Sequence, residues 1–210
     1  MAKNEETMAI IKEPHLFNEQ NLFVDLGDAL GRELYLKIEG LNLAGSVKLK
    51  PALEMVERAE RAGTLRPGSV LVESSSGNLG VALSMIAASR GYRFVCVIDP
   101  RCNPTTRRLM EALGAQVDLV TEPDPVEGYL GARLDHVRRL CAADERYVWL
   151  NQYTNPGNWG AHYRRTAPET DGGSSPGWAT GRSACGRRRP PCPWNTGCGS
   201  STWTSAPTAA

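Results

Sequence analysis

Short apolar segments typical of β-strands alternate with longer segments of helical periodicity up to about residue 168. This alternation constrains the fold more than any other feature of the 210-residue chain. Strands joined through helices of this length imply right-handed crossovers, which leave helices on both faces of a parallel sheet. The pattern therefore predicts an α/β fold. The predicted strands span 34–38, 70–72, 94–98, 117–120 and 147–150.

Turn and capping residues mark the ends of the predicted helices. Helices at 46–62 and 79–90 are each followed by a glycine, the residue that most often ends a helix. Asn103 followed by proline predicts a capped helix start, and Gly114 closes that helix. A further helix is predicted because its apolar residues share one face. They are Leu130, Leu134, Val137, Leu140 and Cys141.

Composition points to an ordinary globular protein. The net charge is +1 and 41% of the residues are hydrophobic, so neither nucleic acid nor an anionic membrane surface is an expected partner. Residues 1–15 are charged and contain no apolar run of signal-peptide length. No stretch approaches the roughly 20 apolar residues of a membrane span. A cytoplasmic protein is expected.

The six cysteines fall into two groups of three. Cys96, Cys102 and Cys141 lie in the patterned region, where a cysteine usually acts as a small buried hydrophobe. The group near the end lacks a C-x-x-C pair and a nearby histidine, so neither a zinc site nor any other metal site is expected. Its members are Cys185, Cys192 and Cys198.

The composition changes abruptly at residue 170. From Thr170 to Ala210 the chain contains no Leu, Ile, Val, Met, Phe, Lys or Glu. Such a segment cannot bury enough apolar surface to offset its chain entropy, so disorder is predicted. A GC-rich gene translated out of frame has this composition, which makes a frameshift the leading hypothesis. A natural low-complexity tail is the alternative.

Two glycine-containing loops connect a strand to a helix. One covers residues 39–48 (EGLNLAGSVK) and the other residues 73–80 (ESSSGNLG). Parallel α/β sheets bind ligands beyond the carboxyl ends of their strands, and the free N–H groups of a helix start attract anions. Neither loop matches G-x-G-x-x-G or a Walker A loop. Either one alone could also be a tight turn with a capping serine.

Taken together, the loops resemble those of a known family. The pattern N-x-x-G-S-x-K, then S-G-N-x-G about thirty residues later, is similar to that of the cysteine synthase enzymes. Residues 149–156 (WLNQYTNP) resemble their N-Q-[FY]-x-N-P segment, and residues 107–115 resemble the passage after the asparagine loop. These are pyridoxal-phosphate enzymes of fold-type II, the tryptophan synthase β-like fold. The resemblance covers roughly residues 20–169.

The resemblance implies pyridoxal 5'-phosphate as cofactor and a role for each motif. Lys48 would bind the cofactor covalently and act as general base, whereas without the other motifs it would be a solvated helix-start lysine. Asn78 would hydrogen-bond the oxygen on the cofactor ring. Gln152 would lie at the substrate carboxylate, although turn formation before Pro156 explains it equally well. The expected donors to that carboxylate are Ser75, Ser76, Gly77 and Leu79.

The implied reaction is β-replacement on a serine-derived amino acid. Leu79 stands where cysteine synthases carry threonine, and residues 98–106 and 128–133 are more similar to the N-(2-amino-2-carboxyethyl)-L-glutamate synthase branch. That branch joins O-phosphoserine to glutamate on the way to 2,3-diaminopropionate, a siderophore and antibiotic precursor. Arg133 and Tyr153 are the candidate contacts for these anionic substrates, with an exposed helix arginine as the other interpretation of Arg133. The alternatives are an O-acetylserine sulfhydrylase and an inactive fragment or binding module.

The resemblance also implies a division of the chain. Residues 1–40 would provide strands of a larger, truncated domain, and residues 41–150 would form the subdomain with the lysine and asparagine loops. Residues 151–169 would begin the second domain, followed by the tail at 170–210. The family's glycine-rich phosphate cradle would lie beyond the change in composition. Family members are homodimers, which makes a second copy of the chain a possible partner.

Overall fold

A computed structural model describes residues 22–170, together with Glu13, Leu16 and Phe17. The strands in this part of the chain are β1 (Phe23–Asp25), β2 (Tyr35–Lys37), β3 (Val70–Ser74), β4 (Arg93–Ile98), β5 (Gln116–Leu119) and β6 (Tyr147–Trp149). The main helices are α1 (Gly27–Leu30), α2 (Leu49–Arg61), α3 (Asn78–Arg90), α4 (Pro104–Ala112), α5 (Gly128–Ala143) and α6 (Pro156–Ala161). A π-helical turn (His162–Thr166) and α7 (Ala167–Thr170) follow.

Four strands form one parallel sheet in the order β5-β4-β3-β6. This confirms the predicted parallel sheet. Strands β1 and β2 form a separate antiparallel pair in which Val24 lies opposite Leu36. The sequence did not predict that pairing. Because every strand of the four-stranded sheet runs in the same direction, the loops that follow β3, β4 and β6 emerge at one edge.

The two faces of the sheet are covered separately, because successive side chains of a strand point to opposite faces. On one face Leu71 and Cys96 pack with the apolar residues of α2 and α3. On the other, four strand valines pack against Val137 of α5. They are Val70, Val72, Val95 and Val97. The helices therefore lie on both faces, as predicted.

Capping residues start two helices at this edge. The Asn103 side chain accepts a hydrogen bond from the Thr105 amide at 2.8 Å, and proline follows it as the first helical residue. Asn155 caps α6 in the same way through the Gly157 amide at 2.8 Å, again with proline following. The predicted helix start at Asn103 is confirmed. An asparagine before proline provides both the acceptor and the correct backbone angle.

The buried thiol of Cys96 confirms one cysteine prediction, while Cys102 and Cys141 are partly buried against the two apolar clusters. The predictions for 171–210, the three further cysteines included, lie outside the described residues. By internal contacts the chain divides into 1–174 and 175–210. Within the described part, no helix is long and apolar enough to cross a membrane, and no three metal-ligand side chains cluster.

Close packing explains why the last position of the S-G-N-x-G motif, Gly80, is a glycine. A Cβ atom there would lie 2.6 Å from the Met110 sulfur, 3.0 Å from the Cys96 sulfur and 3.0 Å from the Ser75 carbonyl oxygen. Since the backbone oxygen cannot move away cheaply, Gly80→Ala is expected to lower the free energy of unfolding by about 1–3 kcal/mol. Urea denaturation of the full chain measures this. Gly77→Ala is the control, because nothing lies within 4 Å of a Cβ there; equal losses in both variants would contradict the prediction.

Candidate functional site

The lysine loop is organised by a buried asparagine. The Asn42 side chain donates to the Glu39 carbonyl at 2.9 Å and to the Ser46 carbonyl at 3.0 Å, and it accepts from the Ala44 amide at 3.0 Å. Gly45 adopts a φ of 63°, a left-handed conformation that favours glycine. The asparagine and the glycine of the N-x-x-G-S-x-K pattern therefore shape the loop that carries Lys48 to the start of α2.

Two lysines lie at this helix start in different environments. The Lys50 side chain is 5% exposed, and its amine contacts Glu39 at 3.0 Å and Glu169 at 2.5 Å. Lys37 joins the same pair of carboxylates at 3.6 and 3.1 Å. Lys48 is half-buried, and among residues 22–170 no carboxylate lies within ion-pair distance of its amine. Of the lysines at this helix start, Lys48 is therefore the one whose amine is not held in an ion pair with a described carboxylate.

His162 lies near the same lysines and was not singled out from the sequence. Burial lowers its pKa, and the charges of Lys48 and Lys50 lower it further, whereas Glu39 opposes them. Its Nδ1 atom lies 3.1 Å from the Thr166 hydroxyl. It begins a π-helical turn, a backbone feature that is frequent at functional sites. A histidine six residues after a proline-capped helix start has no sequence signal of its own.

The asparagine loop follows β3 and leads into α3. Ser75 is buried, and its hydroxyl accepts a hydrogen bond from the Gly80 amide at 3.0 Å. Gly77 precedes the helix with extended backbone, and Asn78 is exposed in the first turn. The Leu79 side chain is buried in the core, so this residue can offer a ligand only its backbone N–H. The loop therefore presents hydroxyl and N–H donors around an exposed amide.

Arg133 reaches this loop from α5. Its guanidinium donates to the Ser76 hydroxyl at 2.7 Å, and its Nε lies 3.4 Å from the Asp99 carboxylate at the end of β4. The side chain is 11% exposed. That Nε atom has no hydrogen-bond partner among the described residues. The structure thus places Arg133 beside the asparagine loop instead of on an exposed helix face.

The N-Q-Y segment contacts the same loop from the other side. The Gln152 side chain donates to the Ser74 carbonyl at 2.7 Å, and the Tyr153 hydroxyl donates to the same oxygen at 3.4 Å. Asn155 forms the turn before Pro156, because its side chain caps α6. The Gln152 side chain instead contacts the asparagine loop. Tyr153 remains 49% exposed. The two segments that the sequence placed at one substrate carboxylate are therefore in direct contact.

Glu73 and Asp99 were missed as possible functional residues. Both are buried carboxylates at the ends of neighbouring strands, with 0% and 3% exposure. Burial raises the pKa of Glu73 to about 7, although hydrogen bonds from Ser74, Trp149, Gln152 and Asn151 oppose the shift. The only sequence signal was an acidic residue closing an apolar strand. An unpaired acid in such a position is costly unless it has hydrogen-bond donors.

The residues present fit one end of pyridoxal phosphate. No carboxylate among residues 22–170 pairs with the Lys48 amine, and Asn78 exposes an amide that can hydrogen-bond an oxygen on the cofactor ring. Nothing lies within 4 Å of a Cβ built on Gly77, which leaves open space beside the loop. The phosphate cradle expected beyond residue 170 lies outside the described residues. The donors described therefore suit the aldehyde and the ring of the cofactor.

The lysine loop leads into α2, and the asparagine loop follows β3 of the parallel sheet and leads into α3. The family model described as "Pyridoxal-phosphate dependent enzyme" matches residues 22–180. The chain belongs to this family. The fold and the expected cofactor are those that the sequence resemblance predicted.

Curated proteins and solved structures similar to this chain agree with the family assignment. A protein from Ralstonia nicotianae, named N-(2-amino-2-carboxyethyl)-L-glutamate synthase, is 41% identical over 144 residues, which are 69% of this chain and 43% of that protein. A protein of the same name from Cupriavidus metallidurans is 43% identical over 137 residues, 65% of this chain and 40% of the relative. The crystal structure of O-ureido-L-serine synthase has a TM-score of 0.69 at 33% identity, covering 78% of this chain and 51% of the other. The chain therefore spans about two fifths of the length of these curated relatives.

Proposed function

We propose that the chain carries the amino-acid-binding part of a β-replacement site that takes O-phosphoserine as first substrate and glutamate as nucleophile, towards 2,3-diaminopropionate. One observation carries the proposal: the Arg133 guanidinium lies 2.7 Å from the Ser76 hydroxyl inside the asparagine loop. The names of the two relatives support the product. Biosynthesis of a siderophore or antibiotic precursor, a cytoplasmic location and a homodimeric enzyme belong to the same proposal.

A cation at this position distinguishes between leaving groups. Phosphate leaves with two or more negative charges, and a guanidinium binds it through paired charge-assisted hydrogen bonds. Acetate carries a single charge and leaves from a neutral ester. Arg133 is largely buried and bonds only partly to Asp99, so its fork keeps donors for an anion. The arrangement therefore favours a phosphorylated substrate over O-acetylserine.

Each residue of the site has a role in this proposal. Bound pyridoxal phosphate supplies an electron sink for the negative charge that develops at Cα. The Lys48 amine removes the Cα proton and holds it, because no carboxylate among the described residues competes for the amine. Asn78 orients the ring through its exposed amide. Arg133 holds the departing phosphate, and Tyr153 lies close enough to the loop to contact the second substrate.

The substrate carboxylate is held by the asparagine loop. The hydroxyls of Ser75 and Ser76 and the N–H groups of Gly77 and Leu79 surround one helix start, where an anion is stabilised. Gln152 contacts the adjacent Ser74 carbonyl and so lies at the border of this pocket. Together these groups would bind the substrate carboxylate, and Lys48 would accept the Cα proton.

The test compares two arginines on one helix. Arg133→Gln in the full chain is expected to weaken O-phosphoserine binding by about 10- to 100-fold, since a charge-assisted hydrogen bond contributes about 1.5–3 kcal/mol. Arg138→Gln is the control, because Arg138 lies on the same helix with 56% exposure. Isothermal titration with O-phosphoserine and with O-acetylserine measures both variants in the presence of pyridoxal phosphate.

The alternatives give different results in the same experiment. An O-acetylserine sulfhydrylase would bind O-acetylserine more tightly than O-phosphoserine, and Arg133→Gln would change neither affinity. An inactive fragment or binding module would bind neither amino acid. A loss of O-phosphoserine affinity as large in Arg138→Gln as in Arg133→Gln would also contradict the proposal.

A further inference from the structure

The buried carboxylate of Glu73 connects the two segments of the candidate site. It lies on β3 just before the asparagine loop and is fully buried. One oxygen accepts from the Ser74 amide at 2.9 Å and from the Trp149 indole N–H at 3.2 Å. The other accepts from the Gln152 amide at 3.1 Å. A single side chain therefore binds donors from both sides of the site.

Segment 149–153 also donates hydrogen bonds to the backbone next to Glu73. The Gln152 side chain and the Tyr153 hydroxyl donate to the Ser74 carbonyl, one residue after Glu73. The Asn158 side chain donates to the Gln152 carbonyl at 2.9 Å, which attaches the same residue to α6. The backbone of Gln152 is therefore fixed on one side by Glu73 and on the other by Asn158.

The chemistry of the donors explains why a carboxylate stands here. Three N–H groups, one buried and two partly buried, donate to this carboxylate, and leaving a buried one without an acceptor costs about 1–3 kcal/mol. An ionised carboxylate has two oxygens that only accept, whereas an amide has one oxygen and a donor group that would face an N–H. An apolar residue, the usual choice inside a parallel strand, would satisfy none of them.

We propose that Glu73 is a positioning residue, which holds segment 149–153 against the asparagine loop so that Gln152 and the loop donors meet one substrate carboxylate. Its effect on ligand binding rests on the function proposed above. Its effect on the two segments does not, because the hydrogen bonds exist without a ligand. The two effects can therefore be tested separately.

The Trp149 indole N–H reports the effect of Glu73 on the two segments without cofactor or substrate. In the full chain labelled with ¹⁵N-tryptophan, the Trp149 signal is identified by its loss in Trp149→Phe. We expect this signal to shift with pH around a midpoint near 7, because burial raises the pKa of Glu73 to about 7. The described titratable group coupled to Glu73 is the Cys96 thiol of β4, whose own pKa is raised by burial and then by Glu73, so it stays neutral over this range.

Two variants test whether the pH dependence of the Trp149 signal comes from Glu73. Glu73→Gln is expected to abolish the titration of the Trp149 signal. Glu54→Gln, which removes another buried carboxylate that instead binds arginines, is expected to leave the titration intact. Far-ultraviolet circular dichroism checks that both variants fold. A Trp149 indole N–H signal that has the same position in Glu73→Gln as in the native chain, or that titrates alike in both, overturns the proposal.

A double-mutant cycle tests the effect of Glu73 on ligand binding with O-phosphoserine as probe. If Glu73 acts through Gln152, then Glu73→Gln weakens binding at least 5-fold in the native chain and less than 2-fold in a Gln152→Ala background, because coupled residues are not additive. Equal weakening in both backgrounds overturns the positioning role. If the native chain binds no O-phosphoserine while the Trp149 titration is present, the function proposed above fails and the link between the segments stands.

Discussion

Reduction of the full chain with borohydride after incubation with pyridoxal phosphate is expected to leave a pyridoxyl group on Lys48 and none on Lys50. Lys48 precedes α2 and Lys50 lies in its first turn, but the two amines differ in their partners. Lys50 is ion-paired with Glu39 and Glu169 and its side chain is 5% exposed, so its amine is enclosed by partners. Lys48 is half-buried, and no carboxylate among residues 22–170 pairs with its amine. Peptide mapping by mass spectrometry locates the modified lysine.

Charge-conserving variants sharpen this experiment. Lys48→Arg keeps the positive charge and removes the nucleophile, so the pyridoxyl label should be lost completely from this peptide. Lys50→Arg can still pair with both carboxylates and should keep the label on Lys48. A label on Lys50, or one spread evenly over the lysines of the chain, would contradict the assignment of Lys48 as the lysine that binds pyridoxal phosphate. The measurement needs no turnover, so it stands even where the chain is inactive.

Local signals in the sequence predicted the elements of the fold because each depends on neighbouring residues. Asn103 before proline started a helix as expected, and Gly91 ended one with a left-handed φ of 73°. Pairing depends on distant residues and was not accessible in this way. Nothing near Tyr147 shows that β6 lies beside β3 rather than beside β5. Likewise, the alternation of strands and helices did not reveal that β2 pairs with β1 instead of joining the four-stranded sheet.

The candidate site was predicted in part for the same reason. Lys48, Asn78 and Gln152 lie in ordered motifs, and resemblance to a family was enough to select them. Arg133 was chosen from a resembling segment, and the structure shows its contact with Ser76 across 57 positions of sequence. Glu73 was overlooked because its importance comes from donors of a segment 76 or more residues away. Motifs show which residues are unusual, whereas hydrogen bonds across the fold show what they hold.

The candidate site therefore contains two kinds of residue: those that would touch the ligands and those that hold the loops in place. Groups that would touch the ligands lie in loops at the edge of the sheet, and motifs identify them. Groups that hold those loops are buried carboxyl groups: Glu73 precedes the asparagine loop, and Asp99 lies 3.4 Å from the Arg133 guanidinium. Ionisation of a buried carboxyl group costs free energy, because it removes the charge from water. This cost leads to a prediction about stability.

The free energy of unfolding is expected to fall by about 3 kcal/mol between pH 4.5 and pH 7 because of Glu73 alone. Its pKa rises from an ordinary value of 4.5 to about 7 in the folded protein. Below pH 4.5 the carboxyl group is protonated in both states and costs nothing. Between these values the unfolded chain releases the proton while the folded chain retains it, so stability decreases as the pH rises. Above pH 7 the full cost is present and the curve is flat for this group.

Urea denaturation of the full chain at pH 5, 6, 7 and 8 measures the effect, and comparison with Glu73→Gln isolates it. The glutamine variant loses an acceptor at every pH, which lowers its curve uniformly, but it cannot titrate. The difference between the native chain and the variant should therefore shrink as the pH rises. Asp135→Asn, an exposed carboxylate on α5, is the control and should leave the pH dependence unchanged. A difference that grows with pH would mean that Glu73 is ionised in the folded protein across this range, since its hydrogen bonds would then outweigh its burial.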